Sequence, residues 1–266
     1  MDFKINVQIL DSAKQTVKKN KSNKNLVTRF IVSILYVLWH AIKNAKRALV
    51  DKDHRFILLM QLFNYKNVHQ TTPLTYMDRY PTIFSACQEY FDGKENLKIL
   101  SYGCSTGEEV LTLRKYFPNA QIIGADINKR SLEKCRMLPV DEKISFIYST
   151  ANEIKKHGKF DAIFCMAVLQ RKPNEIDAKG ITNLKKIYPF EKFEKQIIEL
   201  DELVNPQGLL VVHFTQYSFL DTEVASKYNT LGDYNQNDYR APVFDKNSRL
   251  INNPPLQKSI FIKATK

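Results

Sequence analysis

Residues 98 to 109 read Lys-Ile-Leu-Ser-Tyr-Gly-Cys-Ser-Thr-Gly-Glu-Glu. The apolar pair Ile99 and Leu100 stops at a short loop bracketed by Gly103 and Gly107, and Val110, Leu111, Leu113 and Phe117 then recur at helical spacing. This is the pattern of a strand, a tight turn and a helix, with glycines where backbone comes close to a ligand. A second apolar run, Gln121-Ile-Ile-Gly-Ala, ends on Asp126, 23 residues after Gly103. In Rossmann-type folds a carboxylate roughly 20 residues beyond the glycine loop takes the ribose hydroxyls. Loop and carboxylate together predict a nucleoside-bearing cofactor. Either alone has a plainer reading, the loop as a turn and Asp126 as a helix cap.

The charge of the loop bears on which nucleoside. Dinucleotide sites favour Gly-x-Gly-x-x-Gly, because the pyrophosphate needs bare backbone at a helix N-terminus. Here Ser105 stands where a middle glycine would, and Glu108 and Glu109 open the helix. Two carboxylates there repel a pyrophosphate and suit a ligand with positive charge, such as the sulfonium and α-amino group of S-adenosylmethionine. The competing reading is that both merely complement the helix dipole.

Gly103-Cys-Ser-Thr-Gly-Glu-Glu109 resembles the first motif of the class I S-adenosylmethionine-dependent methyltransferases, and is especially similar to its form in the chemotaxis-receptor glutamate methyltransferases. The resemblance continues through Gly124-Ala-Asp-Ile-Asn and its helix to Arg136. It resumes at Phe160-Asp-Ala-Ile-Phe-Cys165 and at Leu203-Val-Asn-Pro-Gln-Gly-Leu-Leu-Val-Val212. Upstream, Thr75-Tyr-Met-Asp-Arg79 is similar to a Thr-x-x-x-Arg element of that subgroup. The resemblance implies that Thr75 and Arg79 hold the methionine end of the cofactor. It places Gly103, Cys104, Ser105, Gly107 and Glu109 around it, with Asp126 and Ile127 at the ribose and Cys165 at the end of the fourth strand. Asn152 and Glu153, after the third strand, fall where adenine contacts lie in the family, and equally where a helix cap lies. Arg79 has a plainer reading as a surface ion-pair partner. Two departures stand out. Ser101 replaces the acidic residue many class I enzymes carry two before the first glycine. Met166-Ala167 replaces the Arg-Asn of the receptor-methylating enzymes, which counts against glutamate methyl-ester formation.

Apolar runs bounded by turns predict strands at 97–102, 121–126, 144–148, 161–166 and 208–214, with a last strand from Ser259 to Ala264. Helical patterns between them, notably Glu191 to Val204, predict an α/β fold. The expectation is a Rossmann-like, mainly parallel sheet of about seven strands with helices on both faces, plus an N-terminal helical extension. Residues 1–92 are expected to be a basic helical region and 93–266 the Rossmann-like domain. Asn253-Pro-Pro-Leu256 mimics the Asn-Pro-Pro-aromatic loop of amino-methylating nucleic-acid enzymes, but it comes too late in the chain and reads as a proline turn.

Composition bounds the rest. The chain has 266 residues, 44% hydrophobic and 26% charged, as in an ordinary globular protein. Cys87, Cys104, Cys135 and Cys165 form no Cys-x-x-Cys pair and the five histidines are scattered, so reduced thiols in the cytoplasm are expected, with no metal. The net charge of +12 is concentrated at the N-terminus, where residues 1–60 carry twelve Lys or Arg against four Asp or Glu. After the lysines at 14, 18, 19, 21 and 24, the run from Leu26 to Ile42 is apolar except for a stripe continued by Arg29, Ser33, His40, Asn44 and Arg47. It is shorter than the about 20 residues a span requires. Residues 14–47 are expected to meet an anionic membrane surface, an acidic protein, the chain's own core or a second copy in a homo-oligomer, rather than nucleic acid. Further helices are expected over Asp53 to Asn64 and Pro81 to Phe91, with a break at Pro73.

Sulfonium methyl transfer leans on positioning, so the acceptor side is read only from strand ends. Met166, Gln170, Arg171, His213, Gln216 and Tyr217 fall there, with His213, Arg171 and Tyr217 as catalytic candidates. The Tyr- and Asn-rich stretch from Tyr217 to Phe244 reads as a lid or a plain loop. The expected activity is methylation of a small-molecule or lipid-linked acceptor. Protein carboxyl methylation and a non-catalytic scaffold are the alternatives.

Overall fold

The computed structural model describes residues 26–63, 67–72 and 74–265. The lysine run at 14–24 and Pro73 lie outside them. By contact the chain divides into two units, Met1–Leu58 and Leu59–Lys266.

In the first unit, α1 (Leu26–Val50) is a single 25-residue helix with no acidic residue in its first turn and Arg47 in its last. Phe30, Ile31, Leu35, Leu38 and Ile42 are exposed along it. The next helix, α2, runs Lys52–Phe63. Among the described residues no helix is long and apolar enough to cross a membrane.

The second unit contains a seven-stranded sheet in the order β3-β2-β1-β4-β5-β7-β6. The strands are β1 (Lys98–Tyr102), β2 (Gln121–Asp126), β3 (Ile144–Tyr148), β4 (Phe160–Met166), β5 (Val204–His213), β6 (Tyr228–Thr230) and β7 (Ile260–Lys263). The first five pair in parallel, while β7 is antiparallel to both neighbours. The connecting helices are α3 (Pro81–Tyr90), α4 (Glu108–Tyr116), α5 (Lys129–Cys135), α6 (Ala151–Lys155), α7 (Pro173–Ala178) and α8 (Phe190–Asp201).

Adjacent residues on the central strands point to opposite faces. Leu100, Ile123, Ile163 and Leu210 pack with Phe193, Ile197 and Leu200 of α8. Their neighbours Ile99, Ile122, Ala162 and Leu209 pack with Phe84 and Cys87 of α3 and Val110 and Leu113 of α4. Helix cover on both faces explains why these strands read as continuous apolar runs rather than alternating ones.

Two boundaries differ from expectation by several residues. Helix α8 ends at Asp201 rather than Val204, and β5 starts at Val204. The β4–β5 register jumps from Phe160↔Val204 to Ala162↔Leu209, so the Pro206–Gly208 turn is carried inside β5 as an irregularity. The seventh expected strand, β6, was not located in the sequence, because three residues give no period. It is anchored by Asp201, whose carboxylate receives Tyr228 Oη at 2.9 Å and pairs with Lys227 and Lys263 at 2.6 and 2.8 Å. The Asn253-Pro-Pro-Leu256 stretch is exposed and precedes β7, rather than following the fourth strand.

Both ends of the stretch from Tyr217 to Phe244 pack into the core. Tyr217, Phe219, Val224 and Phe244 are buried in the core, and β6 joins the sheet edge. Aromatic residues in a run of loop composition served packing here.

Candidate functional site

Strand order reverses between β1 and β4, the point at which an open parallel sheet leaves a crevice beyond its carboxyl ends. A cleft of about 990 Å³, open to solvent, occupies that position.

The β1–α4 turn forms its floor. Gly103 has φ +82°, and a Cβ there would stand 2.4 Å from Val168 Cγ2, so only glycine lets the turn meet the loop after β4. Ser105 and, facing it after β4, Ala167 also hold positive φ, 50° and 57°. Such strain is a feature of ligand-binding turns. The Gly103 and Cys104 amides both donate to the Ala125 carbonyl, at 2.7 and 3.1 Å. The Ser105 amide donates to Asp126 Oδ2 at 2.8 Å, and the Asn128 amide to Oδ1 at 2.6 Å. Glycine loop and carboxylate, which the sequence linked only by spacing, are thus hydrogen-bonded to each other.

The two glutamates part ways. Glu109 lines the cleft, with Ser101 Oγ donating to its Oε1 at 2.7 Å. Glu108 instead receives Thr106 Oγ1 at 2.6 Å at the start of α4 and does not line the cleft. One helical step of about 100° separates a ligand-facing carboxylate from a helix-end one. Ser101, a departure from the class I pattern, is the hydroxyl that binds this carboxylate. Burial pushes Glu109 up to about 7, against the opposing pull of Ser101 and Arg79. Burial likewise pushes Asp126 up to about 6, against hydrogen bonds from the Asn128, Ser105 and Ile127 amides. Both carboxyls want a polar or cationic partner.

Thr75, Arg79, Gly103, Cys104, Ser105, Glu109, Asp126 and Ile127 come together in this cleft. Arg79 is among the lining residues. One of its nitrogens donates to the Leu74 carbonyl at 2.9 Å and its guanidinium lies over the Tyr76 and Tyr80 rings.

Four expected cofactor residues do not line it. Gly107 (φ +101°) is the N-cap of α4, and a Cβ there would meet Leu138 at 2.5 Å, so this glycine serves the turn and its packing rather than a ligand. Cys165 is fully buried within the sheet core, because its side chain points into a face rather than off the strand end. Asn152 is exposed on α6. The Glu153 amide is capped by Thr150 Oγ1 at 3.3 Å and its carboxylate pairs with Lys156 at 2.6 Å. Of the two readings left open for that stretch, the geometry fits the helix cap.

The catalytic candidates fare differently. Tyr217 is buried, with its hydroxyl donating to the Tyr188 carbonyl at 2.5 Å and 3.0 Å from Ser248 Oγ, which removes it from reach of any substrate. Arg171 does not line the cleft, and its amide is tied to Gln216 Oε1 at 2.7 Å. His213, at the end of β5, stacks on Phe214 and sits 2.9 Å from Ser259 Oγ through Nδ1. It lines a second cavity, which shares Arg79 and Tyr80 with the cleft. Burial and nearby Arg79 lower its pKa to about 3, far too acidic for an efficient base near neutrality.

Several lining residues escaped the sequence reading. Ser149 follows β3 and Asn128 follows β2, both at strand ends, so the carboxyl-end rule was the available signal. The other wall, residues 67–72, has no periodicity to read. It is pinned by His69, whose Nδ1 lies 2.7 Å from Tyr188 Oη and whose Nε2 lies 3.3 Å from Gln196 Oε1 on α8. Lys192 Nζ also donates to the Val68 carbonyl at 2.7 Å.

A family model described as a methyltransferase domain matches residues 93–241, more than half of the chain. Uncharacterized protein RP028 of Rickettsia prowazekii (strain Madrid E) is 27% identical over 151 residues, covering 53% of this chain and 54% of its own. A second protein of that organism, RP789, is 31% identical over 90 residues, 32% of this chain and 16% of its own. The chain therefore spans about half or less of the length of the curated relatives it matches. Among solved structures, CalS10, an amino pentose methyltransferase from Micromonospora echinaspora, aligns at TM-score 0.38 and 16% identity over 52% of this chain and 50% of its own. PKMT2 from Rickettsia typhi aligns at 0.37 and 20% identity over 52% and 26%. Likenesses that distant carry no functional weight.

Proposed function

Because this chain belongs to the methyltransferase-domain family, we propose that it transfers a methyl group from S-adenosylmethionine to a small-molecule or lipid-linked acceptor. The observation that carries the reading is the cleft beyond β1 and β4, in which Asp126, Glu109 and Arg79 face one space beside the glycine turn.

The residues fit that cofactor. Ser105 Oγ is buried with no partner, Gly103 leaves backbone bare, and two carboxyls sit where burial alone is unfavourable to their charge. Asp126 would receive the ribose hydroxyls, Glu109 the α-ammonium and Arg79 the carboxylate. Asn128 and Ser149 extend the same wall toward the adenine end. When bound, the cofactor supplies an electrophilic methyl carbon, to which the acceptor's lone pair bonds as the carbon–sulfur pair returns to sulfur.

The chain's own work is therefore orientation and exclusion of water. The wall at 67–72 covers the cleft from one side, held by His69 and Lys192. Met166, Ala167 and Val168 close it after β4. The second cavity, past Tyr80 and Arg79, gives the acceptor an approach lined by His213 and by Asn235 and Asn237. With His213 so weakly basic, proximity rather than proton removal carries the rate, and an acceptor that arrives as a neutral nucleophile fits best. Glutamate methyl-ester formation has no support here, since Met166-Ala167 offers no amide side chain beside the transferred methyl.

We assign the basic N-terminal region, residues 14–47, to docking at an anionic surface. The exposed apolar residues of α1, together with Lys43, Lys46 and Arg47, support that.

Calorimetric titration with S-adenosylhomocysteine tests the central reading. Binding weakened by Asp126→Ala is expected. No binding by the unmodified protein at saturating ligand would leave only the fold.

A further inference from the structure

Tyr80 precedes α3 and is 9% exposed. Its carbonyl accepts the Ile83 and Phe84 amides, each at 3.1 Å, which fixes the backbone. Its ring is fixed as well. It stands edge-on to Phe84, His213 and Phe214 at 6.3, 4.9 and 5.5 Å, and the Arg79 guanidinium lies 5.1 Å from its centroid. Yet the hydroxyl has no hydrogen-bond partner. Buried polar groups in folded proteins are nearly always satisfied, and phenylalanine would fill the same slot without the penalty. An orphaned hydroxyl held this firmly is a group waiting for a ligand atom.

Its surroundings select the atom. Tyr80 lines the cleft together with Glu109, Arg79 and Phe84, whose ring it meets edge-on. Burial pushes its pKa up, so the hydroxyl stays protonated and acts as a donor. One neighbouring charge is positive, Arg79, and one negative, Glu109. That arrangement suits a zwitterion, whose ammonium faces Glu109 and whose carboxylate faces Arg79 and a neutral donor beside it.

We propose that the Tyr80 hydroxyl donates a hydrogen bond to the α-carboxylate at the amino-acid end of the cofactor, next to Arg79. The proposal rests on the reading that the cleft takes S-adenosylmethionine. It makes Tyr80 a wall common to two spaces, the cofactor's on one side and the cavity lined by His213 on the other.

The test is a calorimetric cycle on the full chain, with Tyr80→Phe against the unmodified protein. Two ligands are used, S-adenosylhomocysteine and 5′-methylthioadenosine, which keeps the nucleoside and thioether but lacks the amino acid. The expected result is a loss of about tenfold for S-adenosylhomocysteine in Tyr80→Phe, the scale of one charge-assisted hydrogen bond. Methylthioadenosine should bind both proteins equally. Equal affinity of both proteins for S-adenosylhomocysteine overturns the proposal. So does an equal loss for both ligands, which would mean that the hydroxyl supports the cleft's shape. Failure of the unmodified protein to bind S-adenosylhomocysteine is a separate result. It removes the cofactor reading itself, and the assignment of Tyr80 with it.

Discussion

The Asp126 carboxylate receives the Ser105 amide at 2.8 Å, so the end of β2 is latched to the turn after β1 before any ligand arrives. Its other oxygen receives the Asn128 amide at 2.6 Å. Both of these partners are N–H donors, which sets up an asymmetric response to substitution. Asp126→Asn puts an amide NH₂ where one of these N–H groups needs an acceptor. It should weaken S-adenosylhomocysteine binding by at least tenfold and lower the melting temperature, because a buried donor left unpaired costs about 1–3 kcal/mol. Calorimetry and thermal denaturation on the same sample check this, and an asparagine variant that binds normally would contradict it.

The raised carboxyl values make cofactor binding depend on pH. Glu109 sits at about 7 and Asp126 at about 6, both pushed up by burial. In the ligand-free protein the fold favours the protonated carboxyls. Their contribution to stability is complete below the unfolded values near about 4 and is lost as pH rises through 6 to 7. A ligand that pairs its ammonium with Glu109 prefers the ionised form, so its affinity runs the other way. S-adenosylhomocysteine should bind more tightly from pH 5.5 to 8 and release protons as it does so. Titrations in two buffers of different ionisation enthalpy measure that release. Glu109→Gln should flatten the rise above pH 6, and an unchanged pH profile in this variant would remove Glu109 from the site.

What could be read from the sequence was what is local. The β1 turn, Asp126 and α4 lie within about thirty consecutive residues, so spacing alone joined them. Where strands and helices from distant parts of the chain supply one residue each, spacing carries nothing. His69 reaches the cleft wall only through Tyr188 and Gln196, more than a hundred residues away. Cys165 shows the opposite failure. It stands near a strand end in a matching motif, yet the two-residue alternation of β4 turns its side chain into the core. Tyr217, in the irregular chain after β5, is likewise a core residue, held by Tyr188 and Ser248.

Gly103 tests whether the turn is as constrained as its geometry implies. Gly103→Ala meets two penalties, a left-handed backbone (φ +82°) that alanine resists and a Cβ at 2.4 Å from Val168 Cγ2. The first costs about 1–2 kcal/mol. The variant should melt lower and lose S-adenosylhomocysteine binding. Adding Val168→Ala removes the clash but not the backbone cost, so the double variant should recover only part of the stability. Full recovery would show that the left-handed conformation costs nothing there.

Tyr217 separates architecture from chemistry. Its hydroxyl donates to the Tyr188 carbonyl at 2.5 Å, and the Tyr188 hydroxyl in turn lies 2.7 Å from His69 Nδ1. Tyr217→Phe keeps the ring among Tyr188, Phe190 and Phe193 and deletes that link together with the one to Ser248 Oγ. The stranded carbonyl should destabilise the protein by about 1–3 kcal/mol. Cofactor affinity should stay within twofold, because the ring packing that positions Tyr188 is untouched. Chemical denaturation gives the first quantity and S-adenosylhomocysteine titration the second. A variant that is as stable as the unmodified protein yet binds the ligand tenfold more weakly would reverse the assignment and return Tyr217 to the site.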